Sequence, residues 1–376
     1  MVNFSRWFVA GASTGLRPRL ACELRPEGVV AARADDGESM PSTVARVELP
    51  IGALVPGLRG GNLIARDAVV SALQRALEQV TERGRQVTLI VPDASTRVLL
   101  LEFDTLPGKM AEALPIVRFR LKKMLPFEAE DAAVSYQVMS ASRGLLKVLA
   151  VAMPREVINE YESAVREAGY EPGAVLPSTL AALAALDEGL PPDRGPADSA
   201  AGDRGAALVV NASNHAVTTA IVREGVLLLH RSIDLGLDAR VEEEAEAVLE
   251  AAIEAEDDFG EPVVSTAAIE AEALHAVVVS EAAIAFEVAQ AVSVATAYYE
   301  DTLNAVLGHV LATGPFGAEG LQMMVNGATG EGFGGGSVSE GVRVRELLTA
   351  EKLMPGAASA TIPRGLLAGV VGALRV

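Results

Sequence analysis

Apolar residues follow two periods along this chain, and the switches between them mark its elements. From 108 to 125, Leu114, Val117, Leu121 and Leu125 recur at spacings of three and four, one stripe of a helix. Arg118, Arg120, Lys122 and Lys123 lie mostly off that stripe. Pro126 ends the helix, because a residue before proline is pushed out of helical geometry. The period then drops to two. Val134, Tyr136 and Val138 alternate with Ser135, Gln137 and Met139, which predicts a strand, and 145–153 reads as its hairpin partner.

The same reading extends to the rest of the first half. Strands are predicted at 19–24 and 29–33 around a turn at Pro26, Glu27 and Gly28, and again at 45–49. A helix over 67–83 has Asp67 as its N-cap and Gly84 as its stop. Buried strands follow at 86–91 and 97–103. Pro154 opens a helix with a stripe of Ile158, Tyr161 and Val165, ended by Gly169, and after a short strand comes an alanine-rich helix at 178–186.

From 188 to 205 the composition turns to Pro, Gly, Asp and Ala, which predicts an exposed linker. Strands at 206–210, 217–223 and 226–232 then repeat the opening pattern, with Glu224 and Gly225 turning between the last two. A helix over 238–258 carries nine carboxylates from Glu242 to Asp258 without a basic residue, the pattern of a solvated face. A long helix at 280–303, a strand at 306–313, a glycine-rich hairpin at 327–341 and a helix at 362–375 complete the chain. The order of elements is written twice, so two units are expected: 1–187 and 206–376.

Composition narrows the function classes. A net charge of −19 opposes nucleic-acid binding, which needs clustered Lys and Arg against phosphate. The single cysteine, Cys22, excludes a disulfide framework or a multi-thiolate zinc site within one chain and suits a reducing compartment. No removable leader is evident, and the longest uncharged span, 205–222 in outline, is interrupted by Asn211, Ser213, Asn214 and His215, so no membrane span is expected. His215, His230, His275 and His309 show no metal-ligand spacing, and the glycines of 327–336 lack the Lys-Ser/Thr ending of a P-loop. Neither a catalytic residue nor a metal ligand emerges. Trp7 could anchor a partner or fold onto its own domain.

Several segments form an ordered series: Leu125-Pro126-Phe127-Glu128 with Tyr136-Gln137-Val138, then Val151-Ala152-Met153-Pro154-Arg155-Glu156 with Tyr161 and Ala168-Gly169-Tyr170. Leu208-Val209-Val210, Gly225, Arg231-Ser232-Ile233 before Gly236, Gly365-Leu366-Leu367-Ala368 and Gly372-Ala373-Leu374-Arg375 continue it in the second half. Together they resemble the PilM family of actin-like proteins in type IV pilus assembly, which is related to the cytoplasmic part of GspL secretion proteins. The resemblance implies a two-lobed actin-like (ribonuclease H-like) α/β fold with a subdomain, about 87–169, inserted in the first lobe. It also implies a cytoplasmic protein, held at the inner membrane through the short cytoplasmic N-terminus of a PilN-like bitopic partner. Arg118, Arg120, Lys122 and Lys123 are candidates for that contact.

The family's nucleotide cleft is altered here. Actin-like ATPases hold phosphate on backbone N–H groups of two strand turns, with an acid in each to organise magnesium and glycine for close approach. The first turn reads Glu23-Leu24-Arg25-Pro26, and Leu24 or Arg25 is expected to intrude on phosphate. The second reads Asn211-Ala212-Ser213-Asn214, without the acid or the glycine. The third, on the adenosine side, reads Thr313-Gly314-Pro315-Phe316-Gly317 and keeps glycine in part, although its proline removes a donor. The degenerate cleft positions are therefore Glu23, Arg25, Asn211, Asn214, Thr313, Gly314 and Gly317. No cofactor is expected. The competing readings are an active ATPase or sugar-kinase-like enzyme, or a nucleotide (ATP with magnesium) held as a structural ligand only.

Overall fold

The computed structural model describes residues 19–35, 40–142, 144–186, 202–235, 266–327, 343–350, 353 and 361–375. Three strands open the chain as an antiparallel meander: β1 (Leu20–Arg25), β2 (Gly28–Ala34) and β3 (Pro41–Glu48). After helix α1 (Arg66–Val80), β4 (Gln86–Val91) lies parallel to β1, and β8 (Glu171–Pro177) lies parallel to β4, giving the order β3-β2-β1-β4-β8. The second half repeats this plan. Strands β9 (Gly202–Ala212), β10 (Ala216–Arg223) and β11 (Val226–Asp234) form the meander, and β12 (Val306–Thr313) and β13 (Val344–Glu346) add in parallel, giving β11-β10-β9-β12-β13.

A separate antiparallel sheet, β5-β7-β6, is inserted in the first lobe from β5 (Arg97–Phe103), β6 (Ala132–Ser142) and β7 (Leu145–Pro154). Helix α2 (Met110–Leu121) covers it. Because β4 pairs inside the first sheet, and α3 (Arg155–Glu167) packs on α1, the separate sheet and its helix occupy 97–154 rather than the anticipated 87–169. The remaining helices are α4 (Ser178–Ala184), α5 (Thr266–Leu303), α6 (Gly317–Gly327) and α7 (Arg364–Ala373).

Alternation along the central strands places three layers of core. In β1, Cys22 and Leu24 point to α1 and α3, with Leu73, Leu89 and Tyr161 around them. Ala21 points the other way, into a core shared by both lobes that includes Leu180 of α4, Val209 of β9, Leu311 of β12 and Leu367 and Val371 of α7. On the far face of the second sheet, Leu208 and Val210 pack against Val288, Val292 and Tyr299 of α5.

Several boundaries differ from those anticipated, for identifiable reasons. The cap of α1 is Ala65, without a side-chain hydrogen bond, and Asp67 sits in the first turn, where its charge suits the helix dipole. The helix ends at Val80, where Thr81 Oγ1 bonds the Leu77 carbonyl. In α2 the fully buried stripe is Ala113, Val117 and Leu121, with Leu114 and Leu125 half-buried. A bulge between Val138 and Ser140 breaks the period of β6, so Val138 is exposed and Met139 buried. β3 starts at Pro41, and β9 already pairs from Gly202, inside the anticipated linker. α5 begins at Thr266, well before 280, through a stretch rich in Ala and Glu. The anticipated helix at 238–258, the glycine-rich stretch beyond Gly327 and Trp7 lie outside the described residues.

Candidate functional site

The end of β1 turns Glu23 and Arg25 into the space between the lobes, where they are 0% and 6% exposed. They form an ion pair of 2.8 Å. Ser178, the first residue of α4, donates its hydroxyl to Glu23 Oε1 at 2.5 Å and accepts from Arg25 Nη2 at 3.2 Å. Glu23 Oε2 has no hydrogen-bond partner among the described residues. Burial pushes the Glu23 pKa up, while Arg25 and the Ser178 hydroxyl pull against that rise. Leu24, anticipated to crowd a phosphate, faces the opposite core, because neighbours on a strand point to opposite sides.

A second acid joins from the single 3-10 turn Asp93–Ser95 that follows β4. Asp93 accepts the Thr179 N–H at 3.0 and 3.2 Å and the Thr179 hydroxyl at 2.5 Å, so a carboxylate sits on the first turn of α4. Asn211, from β9 in the other lobe, completes the group. Its Nδ2 lies 3.1 Å from Ser178 Oγ, 3.1 Å from Thr179 Oγ1 and 3.3 Å from Asp93 Oδ2. One amide thus ties the second lobe to both acids' partners in the first. Nearby, His230 of β11 is held below the usual histidine range by burial, against the pull of Asp93.

Of the anticipated cleft residues, the structure gathers Glu23, Arg25 and Asn211, sets Thr313 and Gly314 beside Asn211, and leaves Asn214 and Gly317 outside that network. Asn214 is exposed at the β9–β10 turn. That turn uses its own donors: Ser213 N–H bonds the Ala216 carbonyl, and the N–H groups of His215 and Ala216 both donate to Ser213 Oγ. Thr313 Oγ1 and Gly314 N–H both donate to the Gly365 carbonyl at the start of α7, at 2.9 and 3.0 Å. Gly314 adopts φ +95°, and a Cβ there would meet the Ala212 carbonyl oxygen, so glycine is required on both counts. Gly317 opens α6, but the dipole there already has an anion: Glu346 Oε1 accepts the Ala318 N–H at 2.8 Å.

What is left open between the lobes is a cleft of about 210 Å³, lined among others by Arg25, Glu27, Pro92, Asp93 and His215. Ligand pockets run to about 300–1,000 Å³. Both carboxylate oxygens of Glu27 are buried without a hydrogen-bond partner among the described residues, which adds negative charge at the mouth. The donors of the β9–β10 turn are engaged internally, and Glu23 Oε1 and Asp93 are both bound to protein groups.

Three features of the site were not foreseen. Asp93 and the Ser178-Thr179 pair carried no motif, although two hydroxyls heading an otherwise apolar helix could have been noticed. Gly365, Gly369 and Gly372 recur at helical spacing on one face of α7. They let its backbone lie on Gly314, on the Glu23 carboxylate and on the Ala181 carbonyl in turn.

The basic residues of α2 split in role. Arg118 Nη1 donates to the carbonyls of Ala129 and Ala132 at 2.8 and 3.0 Å, fastening the turn before β6. Lys122 pairs with Glu130 at 3.0 Å. Arg120 and Lys123 are exposed, as are Ile116 and Phe119 beside them, the latter 78% accessible.

No family model matches the sequence, and no curated protein matches it. Among solved structures, a chain of a "PilM-PilN type IV pilus biogenesis complex" superposes with a TM-score of 0.67 at 15% identity, over 95% of this chain and 98% of that one. EutJ, an ethanolamine utilization protein of Carboxydothermus hydrogenoformans, aligns with a TM-score of 0.42 at 12% identity over 98% of this chain and 93% of its own. The cytoplasmic domain of EpsL, an inner membrane component of the type II secretion system of Vibrio cholerae, gives 0.35 at 13% over 65% and 79%. The first likeness shows the fold, and the other two are too distant to carry an argument. The chain has a two-lobed actin-like α/β fold, and its resemblance to PilM holds at that level. No helix among the described residues is long and apolar enough to cross a membrane.

Proposed function

We propose that this chain is a non-catalytic, cytoplasmic adaptor of a type IV pilus or related secretion machine, held at the inner membrane by a PilN-like protein. The observation that supports it most is the occupation of the interlobe site by the chain's own Glu23–Arg25 pair and its Asp93–Thr179–Asn211 network. An ATPase needs donors and acids free to meet phosphate and metal. Here Glu23 Oε1, Arg25, Asp93 and Asn211 are engaged with the chain's own groups, which favours an adaptor over an ATPase.

The partner segment in this reading is a short extended N-terminal peptide, bound beside the inserted sheet. β6 is an edge strand of that sheet, and an edge offers backbone hydrogen bonds to an added strand while pockets select its side chains. The contact cations in this reading are Lys122, paired with Glu130 just before β6, the exposed Lys123, and Arg120, which lies beside Glu102 and Asp104 at the end of β5, with Arg118 holding the helix that carries them.

Calorimetric titration with the cytoplasmic N-terminus of the PilN-like protein, with and without magnesium-ATP, tests this. Peptide binding indifferent to ATP is the expected result, and Arg120→Glu/Lys122→Glu/Lys123→Glu weakens it about tenfold with the melting temperature unchanged. Saturable magnesium-dependent ATP binding with turnover, and no peptide binding, would establish the enzyme instead.

A further inference from the structure

The net charge of the chain lies in one block. Residues 241–342 contain 19 of its 50 carboxylates and none of its 31 Lys and Arg, so the remainder balances at 31 of each. Within the block, the described surface is the outer side of α5 and α6, which pack on one another over the second sheet. The buried side of α5 presents Ile284, Val288, Val292 and Tyr299. Flanking that side, Val294 and Tyr298, one helical turn apart, are exposed by 43% and 41%. Met323 of α6 is 63% exposed. Glu287 and Asp301 of α5 lie on the same flank, seven residues either side of Val294, and Glu319 of α6 is exposed.

We propose that the α5–α6 face docks a basic amphipathic helix of a partner protein, one with an apolar stripe flanked by Lys and Arg. Charge complementarity selects that occupant over the alternatives. A second copy of the chain would set acid against acid. The chain's own 241–265 segment, with ten carboxylates and no Lys or Arg, meets the same repulsion. A cationic helix gains attraction at the rim and buries its stripe against Val294, Tyr298 and Met323. The face lies on the second lobe, away from the inserted sheet, and does not depend on the pilus reading.

The test is fluorescence anisotropy of the full chain with a dye-labelled leucine–lysine amphipathic helix of about 18 residues, about five turns. A scrambled peptide of the same composition and a leucine–glutamate version run alongside. The amphipathic lysine peptide should bind at least about tenfold tighter than the scrambled one, weaken with salt, and lose about tenfold in Val294→Ser/Tyr298→Ser. Met323→Ser, at a position outside the core, gives a second reading should the double variant melt early. Equal binding of the scrambled peptide, indifference to the variants, or no binding overturns the proposal. So does sedimentation showing a dimer that Val294→Ser/Tyr298→Ser dissolves, since the occupant is then a second copy.

Discussion

Arg25→Met isolates the electrostatic part of the interlobe site. Methionine keeps much of the volume but leaves Glu23, 0% exposed, without its counterion. The folded protein escapes a bare buried charge by protonating that carboxyl, and the cost of doing so sets the scale. From an ordinary value of 4.5, holding the proton at pH 7 costs about 3.4 kcal/mol, and at pH 5 about 0.7 kcal/mol. The sign follows from linkage: a carboxyl whose folded pKa is raised contributes its stability below its unfolded pKa and loses it as pH rises towards the folded value. Urea unfolding followed by far-UV circular dichroism at the two pH values should therefore show a large deficit at pH 7 that mostly closes at pH 5. Adding Glu23→Gln should remove the pH-dependent part, because the amide has nothing to titrate. An equal loss at both pH values would place the effect in packing, and no loss at pH 7 would mean that the pair does not bear on stability.

Other perturbations address the surrounding contacts. Gly372→Ala places a Cβ against the Ala181 carbonyl and near the Ala185 nitrogen, backbone atoms that cannot yield, and overpacking of roughly 1–3 kcal/mol outweighs the helix gain of about 1 kcal/mol. A lowered melting temperature is expected there, while Gly327→Ala, whose Cβ would meet nothing within 4 Å among the described residues, should be neutral or stabilising. Glu160 accepts the N–H groups of Gly61, Asn62 and Leu63 at 3.0, 3.1 and 2.9 Å, so Glu160→Ala should speed amide exchange at 61–63 by at least about tenfold while leaving β1 protected. Arg118→Met strips two carbonyls of their donor and should cost about 1–3 kcal/mol in chemical unfolding; Lys123→Glu, on the surface, should stay within about 0.5 kcal/mol.

What the sequence revealed about this fold was what periodicity encodes. Strands, helices and the repeated order of the two halves came through because alternation and helical spacing are local signals, and β1 with its Cys22–Leu24 face is a case in point. The bulge in β6 escaped because one extra residue shifts the phase of every later position. The site was legible only in part. Glu23 and Asn211 are placed through the resemblance to actin-like clefts, but Glu23 meets Ser178 across 155 residues and Asn211 meets Asp93 across 118, and no local pattern records such a meeting. The part Arg118 plays inside the fold escaped for a related reason. Off a helical stripe it resembled its solvated neighbours, and only the path of the chain after α2 brings two carbonyls to it.

The two lobes use equivalent strands to different ends. β1 and β9 are the central strands of their sheets, and each delivers polar side chains to the interlobe face at its last residues. The helices beside them answer in kind. α4 meets Asp93 and Asn211 with its opening hydroxyls, whereas α7 brings glycines, so that its backbone reaches Gly314 and Glu23 directly. An anion entering this space would have to part Asn211 from its three acceptors and bring a second negative charge beside Glu23 and Asp93. Each hydrogen bond left unmade in a buried site costs about 1–3 kcal/mol. The apolar core shared by α4, α7 and both sheets resists the same opening, since parting the lobes would expose Leu180, Leu367 and Val371 together. In this structure the closure rests on the chain's own side chains and backbone, from Glu23, Asp93 and Asn211 to the glycines of α7.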